Sequence, residues 1–434
     1  MKAVIMAGGM GTRIASIRSD IPKPMIEICG KPILQYQIEN LRDCGITSIT
    51  LVIGHLGSVI KDFFGDGSQF GVQLSYFEED HPLGTGGALF KMKDLTEDFL
   101  LLCGDVIFDL DFNRFIDFHK SHHAWASLMV HPNGHPYDSS LIETAIVPPE
   151  QEGGMPSDSC KVIRWSAKEE PRLYYRNRVN AGIEIISPAL LEETKKHFVP
   201  RHPETPDKVD LDRDILKPNI AGGRIYAYDT PEYIKDMGTP DRYYETEADI
   251  QSGRVKARNL RQKQKAVFLD RDGTINKDAG FLTDINDLEL IPGAADAIKK
   301  INRSGFLAIV VTNQPVIARG ELSFEQLQEI NNKLETLLGK EGAYIDGLYF
   351  CPHHPDKGFA GERPAYKTVC SCRKPEPGLL LKAAKDFNID LSESYMIGDS
   401  SRDVQAGHTA GCRQNILLHD GLTLSNCIDG LLNA

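Results

Sequence analysis

Ala266-Val267-Phe268-Leu269 runs without a break into Asp270-Arg271-Asp272-Gly273-Thr274. Near the N-terminus, Ala3-Val4-Ile5-Met6-Ala7 runs in the same way into Gly8-Gly9-Met10-Gly11-Thr12-Arg13. A short apolar strand that passes at once into a polar, glycine-bearing loop is how an α/β domain begins, and this chain begins twice. Between the two openings, Gln251 to Lys265 is nearly devoid of apolar residues and carries Arg254, Lys256, Arg258, Arg261, Lys263 and Lys265. This stretch reads as a solvated linker, with an exposed last helix as the alternative for its first half.

Both halves alternate apolar runs with amphipathic ones. Ile33–Cys44 has helical spacing and Ile49–Ile53 reads as a strand. The run Phe99 to Cys103 is a buried strand that stops at Gly104-Asp105. In the second half, Leu307 to Val311 ends at Thr312-Asn313, Phe324 to Leu338 has helical spacing, and Ser394 to Ile397 ends at Gly398-Asp399. Such alternation predicts two Rossmann-like α/β domains, over residues 1–249 and 265–434, joined by a linker at 250–264. Fragments ending near Gln251 and starting near Gln262 are expected to fold separately. In parallel sheets ligands gather beyond the carboxyl ends of strands, which is where the Gly and Asp residues fall.

With 434 residues, the chain has room for two such cores. Its net charge of −12 argues against nucleic acid or an anionic membrane as the main partner. No apolar run is long enough to span a bilayer. Nine cysteines, an odd number and mostly scattered, fit a reduced, cytoplasmic compartment rather than a disulfide framework. The oligomeric state is left open, a homo-oligomer included.

The motifs carry the chemistry. Gly8, Gly9 and Gly11 let main-chain N–H groups approach a polyphosphate, with Thr12 beside them, and Arg13 can neutralise a departing pyrophosphate. A tight strand-to-helix turn is the bland alternative. Pro22-Lys23-Pro24-Met25 fixes a cation between prolines, and Gly84-Thr85-Gly86-Gly87 is a second glycine-rich loop. Further on come Gly104-Asp105, Val179-Asn180-Ala181-Gly182-Ile183 and Asp236-Met237-Gly238-Thr239-Pro240. In this order and spacing the first 245 or so residues resemble the sugar-1-phosphate nucleotidyltransferases, and most nearly the guanylyltransferases of heptose 1-phosphate. The resemblance implies a nucleoside triphosphate, GTP by preference, and a sugar 1-phosphate whose oxygen attacks the α-phosphorus as pyrophosphate leaves. Asp105 and Asp236 would then hold Mg²⁺, while Lys23 and Arg13 would hold phosphate oxygens. Gly84 to Gly87 would line the base and ribose, and Asn180 and Gly182 would meet the sugar. Lys168, in Ala167-Lys168-Glu169-Glu170-Pro171, stands where the resemblance puts a lysine for the sugar phosphate.

At the second opening, two carboxylates one residue apart can divide the hydrolysis of a phosphate ester. Asp270 attacks phosphorus, while Asp272 protonates the leaving alkoxide and then activates water. Repulsion between carboxylate and phosphate calls for Mg²⁺. Thr312 and Asn313 supply a hydroxyl and an amide for phosphoryl oxygens, Lys374 the cation, and Asp399 a further metal carboxylate with Asp403 behind it. Residues 265 to about 420 thus resemble the haloacid dehalogenase phosphatases. Finer agreement at Asp270–Asn276, Val311–Gln314, Ile317–Gly320 and Cys372-Arg373-Lys374-Pro375 resembles the heptose bisphosphate phosphatases, which implies substrate contacts for Gln314 and Arg373. Pro315 departs from that pattern. Asp270, Asp272 and Asp399 are the expected Mg²⁺ site.

Cys351-Pro352-His353 and Cys370-Ser371-Cys372 form two close pairs suited to one tetrahedral, structural Zn²⁺, with His354 the alternative to His353. Together the halves imply consecutive steps. Removal of the 7-phosphate from a heptose 1,7-bisphosphate leaves a heptose 1-phosphate, which then accepts a nucleotidyl group to give GDP-heptose. Two alternatives are the same reactions on a hexose 1-phosphate and another phosphate ester, or one half as a silent regulatory module.

Overall fold

The computed structural model describes residues 1–8, 21–147 and 157–432. The chain divides into two compact units that interleave in sequence. The first comprises Met1–Val130, Cys160–Trp165 and Asn180–Asn259; the second comprises His131–Ser159, Ser166–Val179 and Leu260–Ala434.

The first unit is built on Lys2–Met6, which pairs in parallel with Ser48–Ile53 on one side and Phe99–Cys103 on the other. Ser48–Ile53 pairs in parallel with Gln73–Glu78, and Val179–Ile186 joins Phe99–Cys103 antiparallel. Ala3, Ile5, Ile49, Leu51, Leu100 and Leu102 alternate along their strands and reach one face, where Leu34, Ile38 and Leu41 of helix Ile33–Asp43 cover them. A separate two-stranded ribbon pairs Tyr233–Asp236 with Val106–Asp109.

The second unit carries a five-stranded, all-parallel sheet in the spatial order Gly347–Cys351, Phe306–Asn313, Lys265–Leu269, Tyr395–Gly398, Gln414–Leu417. Val267, Leu269, Ala308 and Val310 pack into one core, and Ala266, Phe268, Leu307 and Ile309 into another. Both faces are therefore covered, which is why these strands are continuous apolar runs without alternation. Truncating Phe268 to alanine would cost about 3–5 kcal/mol. Helix Phe324–Lys340 opens with a capping box in which Ser323 N donates to Gln326 Oε1 (2.8 Å) and Gln326 N to Ser323 Oγ (3.2 Å).

The stretch expected to be a solvated linker is ordered and partly internal. Helix Pro240–Gln251 is followed by a helical turn, Arg254–Ala257, and Val255, Arg258, Asn259, Leu260 and Gln264 are buried. Its charges are used locally, Arg254 Nη1 lying 2.9 Å from Asp249 Oδ1. Asn259 Nδ2 donates to Asp109 Oδ1, and Asn388 Nδ2 to the carbonyls of Leu260 and Gln262. Charge density alone hid two apolar anchors, Val255 and Leu260. Among the described residues no helix is long and apolar enough to cross a membrane.

Candidate active sites

In the second unit the carboxyl ends of three neighbouring strands bring Asp270, Thr312-Asn313 and Asp399 to one edge of the sheet. Gly273 has φ +74°, and a Cβ there would lie 1.9 Å from Asp399 Oδ2. Only glycine lets the Asp270 loop close against Asp399. Buried Lys374 lies at the centre of the group, its Nζ 2.9 Å from Asp270 Oδ1, 2.6 Å from Asp403 Oδ1 and 2.8 Å from the Val311 carbonyl. Asp403 is held by its own helix: Ser400 N donates to Asp403 Oδ2 at 3.0 Å in a capping box that opens helix Ser401–Ala410.

Ligand atoms of Asp270, Asp399 and Asp403 lie within 4.8 Å of one another, a spacing that a divalent cation can bridge. Burial pushes the Asp270 carboxyl above the ordinary range, against the pull of Lys374 and with Asp403 adding to the rise. An added cation would relieve this clustering of negative charge, so the residues fit Mg²⁺. The Asp272 carboxylate is not in this group. It accepts from Arg271 Nε (3.1 Å) and Nη2 (2.9 Å), Asn276 Nδ2 (2.9 Å) and Gln314 Nε2 (2.8 Å). Burial works against its ionisation, yet fully buried Arg271 and these amides hold it below the usual carboxylate range. These donors keep it ionised in the free protein.

The other residues expected to meet substrate make hydrogen bonds within the protein. Asn313 Nδ2 donates to the Lys374 carbonyl and Lys374 N to Asn313 Oδ1, both at 3.0 Å, which fixes the lysine's backbone. Gln314 Nε2 also reaches Thr312 Oγ1 at 3.0 Å. Arg373 Nη1 donates to the His353 carbonyl at 3.0 Å and so ties the cysteine-bearing loop to the Lys374 segment.

Cys351, His353, Cys370 and Cys372 converge on one point. Their sulfur atoms lie 3.1–3.6 Å apart, and His353 Nδ1 is 3.5 Å from Cys351 Sγ and 3.4 Å from Cys372 Sγ. Ligands about 2.0–2.3 Å from a tetrahedral ion stand about 3.5–3.8 Å apart, so Zn²⁺ needs only slight widening. His354 is outside the group, its Nδ1 accepting from Asp356 N at 3.2 Å.

In the first unit Gly8 is described, whereas Gly9, Gly11, Thr12 and Arg13 lie outside the described residues. Lys23, in the turn Lys23–Met25, is buried and ion-paired with Asp105. Asp236 stands opposite Val106 in the ribbon, next in sequence to Asp105, and Met237 N donates to the Asp105 carbonyl at 2.9 Å. Arg242 Nη1 holds Asp236 at 2.8 and 2.7 Å. Each carboxylate thus carries its own cation, and a bound Mg²⁺ would have to displace Lys23 and Arg242 from them. The donor set fits on that condition.

Gly84 and Gly87 have a packing duty: a Cβ at either would lie 2.4 Å from the Val209 carbonyl oxygen or 2.5 Å from that of Asp207. Gly86 N donates to Val209 O at 2.9 Å, and the Thr85 hydroxyl accepts from Leu211 N at 2.8 Å. Lys168 is exposed on a turn of the second unit. Asn180 and Gly182 lie on strand Val179–Ile186, where Gly182 has φ +67° and a Cβ would meet Cys103 Sγ at 2.9 Å.

Sequence reading passed over Glu79. It follows the edge strand Gln73–Glu78, its Oε2 lies 3.2 Å from where a Cβ on Gly8 would stand, and its buried Oε1 has no hydrogen-bond partner among the described residues. Burial raises its carboxyl above the ordinary range, against a hydrogen bond from Leu83. Arg242 and Arg271 were passed over as well. An acid or arginine beside a motif looks solvated until its partner, distant in sequence, is placed.

These arrangements define a class: an α/β protein with two strand-end sites, each pairing carboxylates with a buried lysine, as phosphoryl-group chemistry requires. A nucleotidyl transferase family profile matches residues 2–253, and a HAD-hydrolase-like profile matches residues 371–426. The D-glycero-beta-D-manno-heptose-1,7-bisphosphate 7-phosphatase of Yersinia pestis is 41% identical over 162 residues, 37% of this chain and 84% of the relative. That of Haemophilus ducreyi is 42% identical over 163 residues, 37% of this chain and 87% of the relative. A crystal structure of HddC from Yersinia pseudotuberculosis complexed with GMP-PN overlaps at TM-score 0.45 and 26% identity, covering 57% of this chain and 99% of that one. The chain belongs to the nucleotidyl transferase family by its N-terminal part and to the heptose-1,7-bisphosphate 7-phosphatases of the HAD hydrolases by its C-terminal part.

Proposed function

We propose that this chain dephosphorylates D-glycero-D-manno-heptose 1,7-bisphosphate at C7 and joins the resulting heptose 1-phosphate to a guanylyl group, giving GDP-heptose and pyrophosphate. The observation that carries the reading is the Lys374–Asp270–Asp403 group beside Asp399, in a chain of which 162 residues are 41% identical to a 7-phosphatase named for that bisphosphate. The phosphatase chemistry is assigned to residues 265–434 and the transfer to residues 1–249.

In the phosphatase, Asp270 attacks phosphorus and carries the phosphoryl group as an aspartyl phosphate. Lys374 neutralises charge on Asp270 and on the phosphoryl oxygens, and Thr312 turns its hydroxyl to them. Asp272, ionised in the free protein, must first bind a proton, which it passes to the leaving alkoxide; the carboxylate so restored then takes one from the attacking water. Asp270, Asp399 and Asp403 would hold Mg²⁺, which would supply the further positive charge this needs. Zn²⁺ on Cys351, His353, Cys370 and Cys372 stiffens the loop that Arg373 ties to Lys374. Thiolate ligands need a reducing setting, in keeping with a cytoplasmic protein.

In the transferase, Lys23 and Arg13 hold phosphate oxygens, Asp105 and Asp236 would hold Mg²⁺, and Asn180 and Gly182 meet the sugar. Glu79 supports guanine specifically. A carboxylate can accept from both N1–H and the 2-amino group of guanine, whereas adenine presents no such pair of donors. Incubating the protein with the bisphosphate and Mg²⁺, without nucleotide, and following it by ³¹P NMR tests the first step. Loss of the C7 signal with the C1 signal retained is expected; loss at C1 would overturn the order of reactions.

A further inference from the structure

Strand Val179–Ile186 carries an acid where its neighbours are apolar. Glu184 is 1% exposed, sits between Ile183 and Ile185 of the core, and pairs in register with Leu101. A carboxylate taken out of water without a partner is costly, so its retention calls for a reason. Asn180 Nδ2 approaches Glu184 Oε1 at 3.4 Å, but Glu184 Oε2 and Asn180 Oδ1 are both buried without a hydrogen-bond partner among the described residues. The groups acting on Glu184, after burial itself, are Asp212 and Asn180, with no basic side chain among them.

Position adds to this. Asn180 and Glu184 are four residues apart on one strand and bracket Gly182, whose missing Cβ makes room for Cys103 Sγ. Burial and then Asp105, Glu184 and Asp212 raise the thiol of Cys103, the last residue of strand Phe99–Cys103, against the pull of Lys23. Two buried, unpartnered oxygens on one strand match a ligand that presents hydroxyl groups.

Resting on the transferase reading above, we propose that Glu184 is a specificity-determining residue that, with Asn180, accepts hydroxyls of the sugar 1-phosphate. Glu184→Gln keeps the shape and changes the acceptor set. In the full chain with GTP as donor, the variant should raise KM for the sugar 1-phosphate at least about tenfold, equivalent to about 1.4 kcal/mol. KM for GTP should stay within about twofold, because a residue that reads the sugar contributes nothing to the nucleotide. A purely structural acid would leave both constants unchanged or move both together, and either result overturns the proposal.

A second measurement does not depend on the variant's folding for its sign. In wild-type protein labelled with ¹³C at glutamate carboxyls, with Glu184→Gln used only to assign the line, the Glu184 resonance should shift when heptose 1-phosphate or mannose 1-phosphate saturates. Saturation by either sugar phosphate with the line unmoved overturns this inference and leaves the transferase standing. Failure of the wild type to bind any sugar 1-phosphate overturns the transferase reading and this one with it.

Discussion

Arg178 and Glu335 form a buried ion pair inside the second unit, Arg178 Nη1 standing 3.2 Å from Glu335 Oε2 with the two side chains 4% and 5% exposed. Asn177 N donates to the same oxygen at 3.0 Å, and Tyr175 N to Thr336 Oγ1 at 2.9 Å. One turn earlier on the same helix, Asn331 Oδ1 accepts from Arg271 Nη1 at 3.0 Å, and Arg271 grips Asp272. The segment ending at Val179 thus braces the helix that steadies the phosphatase loop. Removing one member of a buried pair strands the other's charge, at about 3–5 kcal/mol. Arg178→Met should therefore destabilise the second unit by about that much in urea, and Arg178→Met/Glu335→Leu should recover most of it. Additive losses in the double variant would contradict the pairing. A fragment starting near Gln262 keeps Glu335 and lacks Arg178, so it should unfold at lower urea than the same unit in the full chain, which revises the expectation of freely separable halves.

Asp270→Asn should lower phosphate release on the order of 10³-fold or more, since an amide of equal size cannot attack phosphorus. Pyrophosphate release from GTP and heptose 1-phosphate should be unchanged in the same preparation. Assays of both products on the full chain check it, and phosphatase turnover near wild type would remove Asp270 from its role.

How much of this was legible in the sequence depends on how local each feature is. Asp270 to Thr274 could be read because strand, carboxylates and glycine are contiguous, and the cysteine pairs because their short spacing brings two ligands together at once. The partners of Lys374 could not: Val311 and Asp403 come from a different strand and a helix, and Asp403 is placed by a capping box with Ser400. The glycines at 84 and 87 were plain, but a need for close approach does not say what approaches, and here it is the backbone of Asp207 and Val209. Glu79 and Glu184 each look like an ordinary charged residue until burial is known. The basic run at 254–265 looked solvated because charge was visible and the anchors Val255 and Leu260 were few.

Elemental analysis of protein purified without added metal should find one zinc per chain. Cys372→Ser should lose it and lower the stability of the second unit, because loop order and ligand binding are linked. A zinc-free wild type of full phosphatase activity and stability would contradict the assignment.

Glu79→Gln should cut kcat/KM for GTP by roughly 10- to 100-fold, in line with about 1–3 kcal/mol for a buried polar partner lost, and should affect ATP far less. The amide keeps one acceptor and puts a donor where the guanine 2-amino or N1–H must sit. Specificity constants for the two triphosphates with one heptose 1-phosphate measure this directly. Equal losses for both would show that Glu79 supports the fold of the loop rather than the choice of base.

The most direct measurement of the central claim is a single incubation of the full chain with D-glycero-D-manno-heptose 1,7-bisphosphate, Mg²⁺ and each nucleoside triphosphate in turn, with products identified by mass and ³¹P NMR. With GTP the account predicts equal amounts of phosphate and pyrophosphate and a single nucleotide sugar, GDP-heptose, with little or none formed from ATP, CTP or UTP. Release of phosphate without any nucleotide sugar, or a nucleotide sugar formed only from another base, would contradict it.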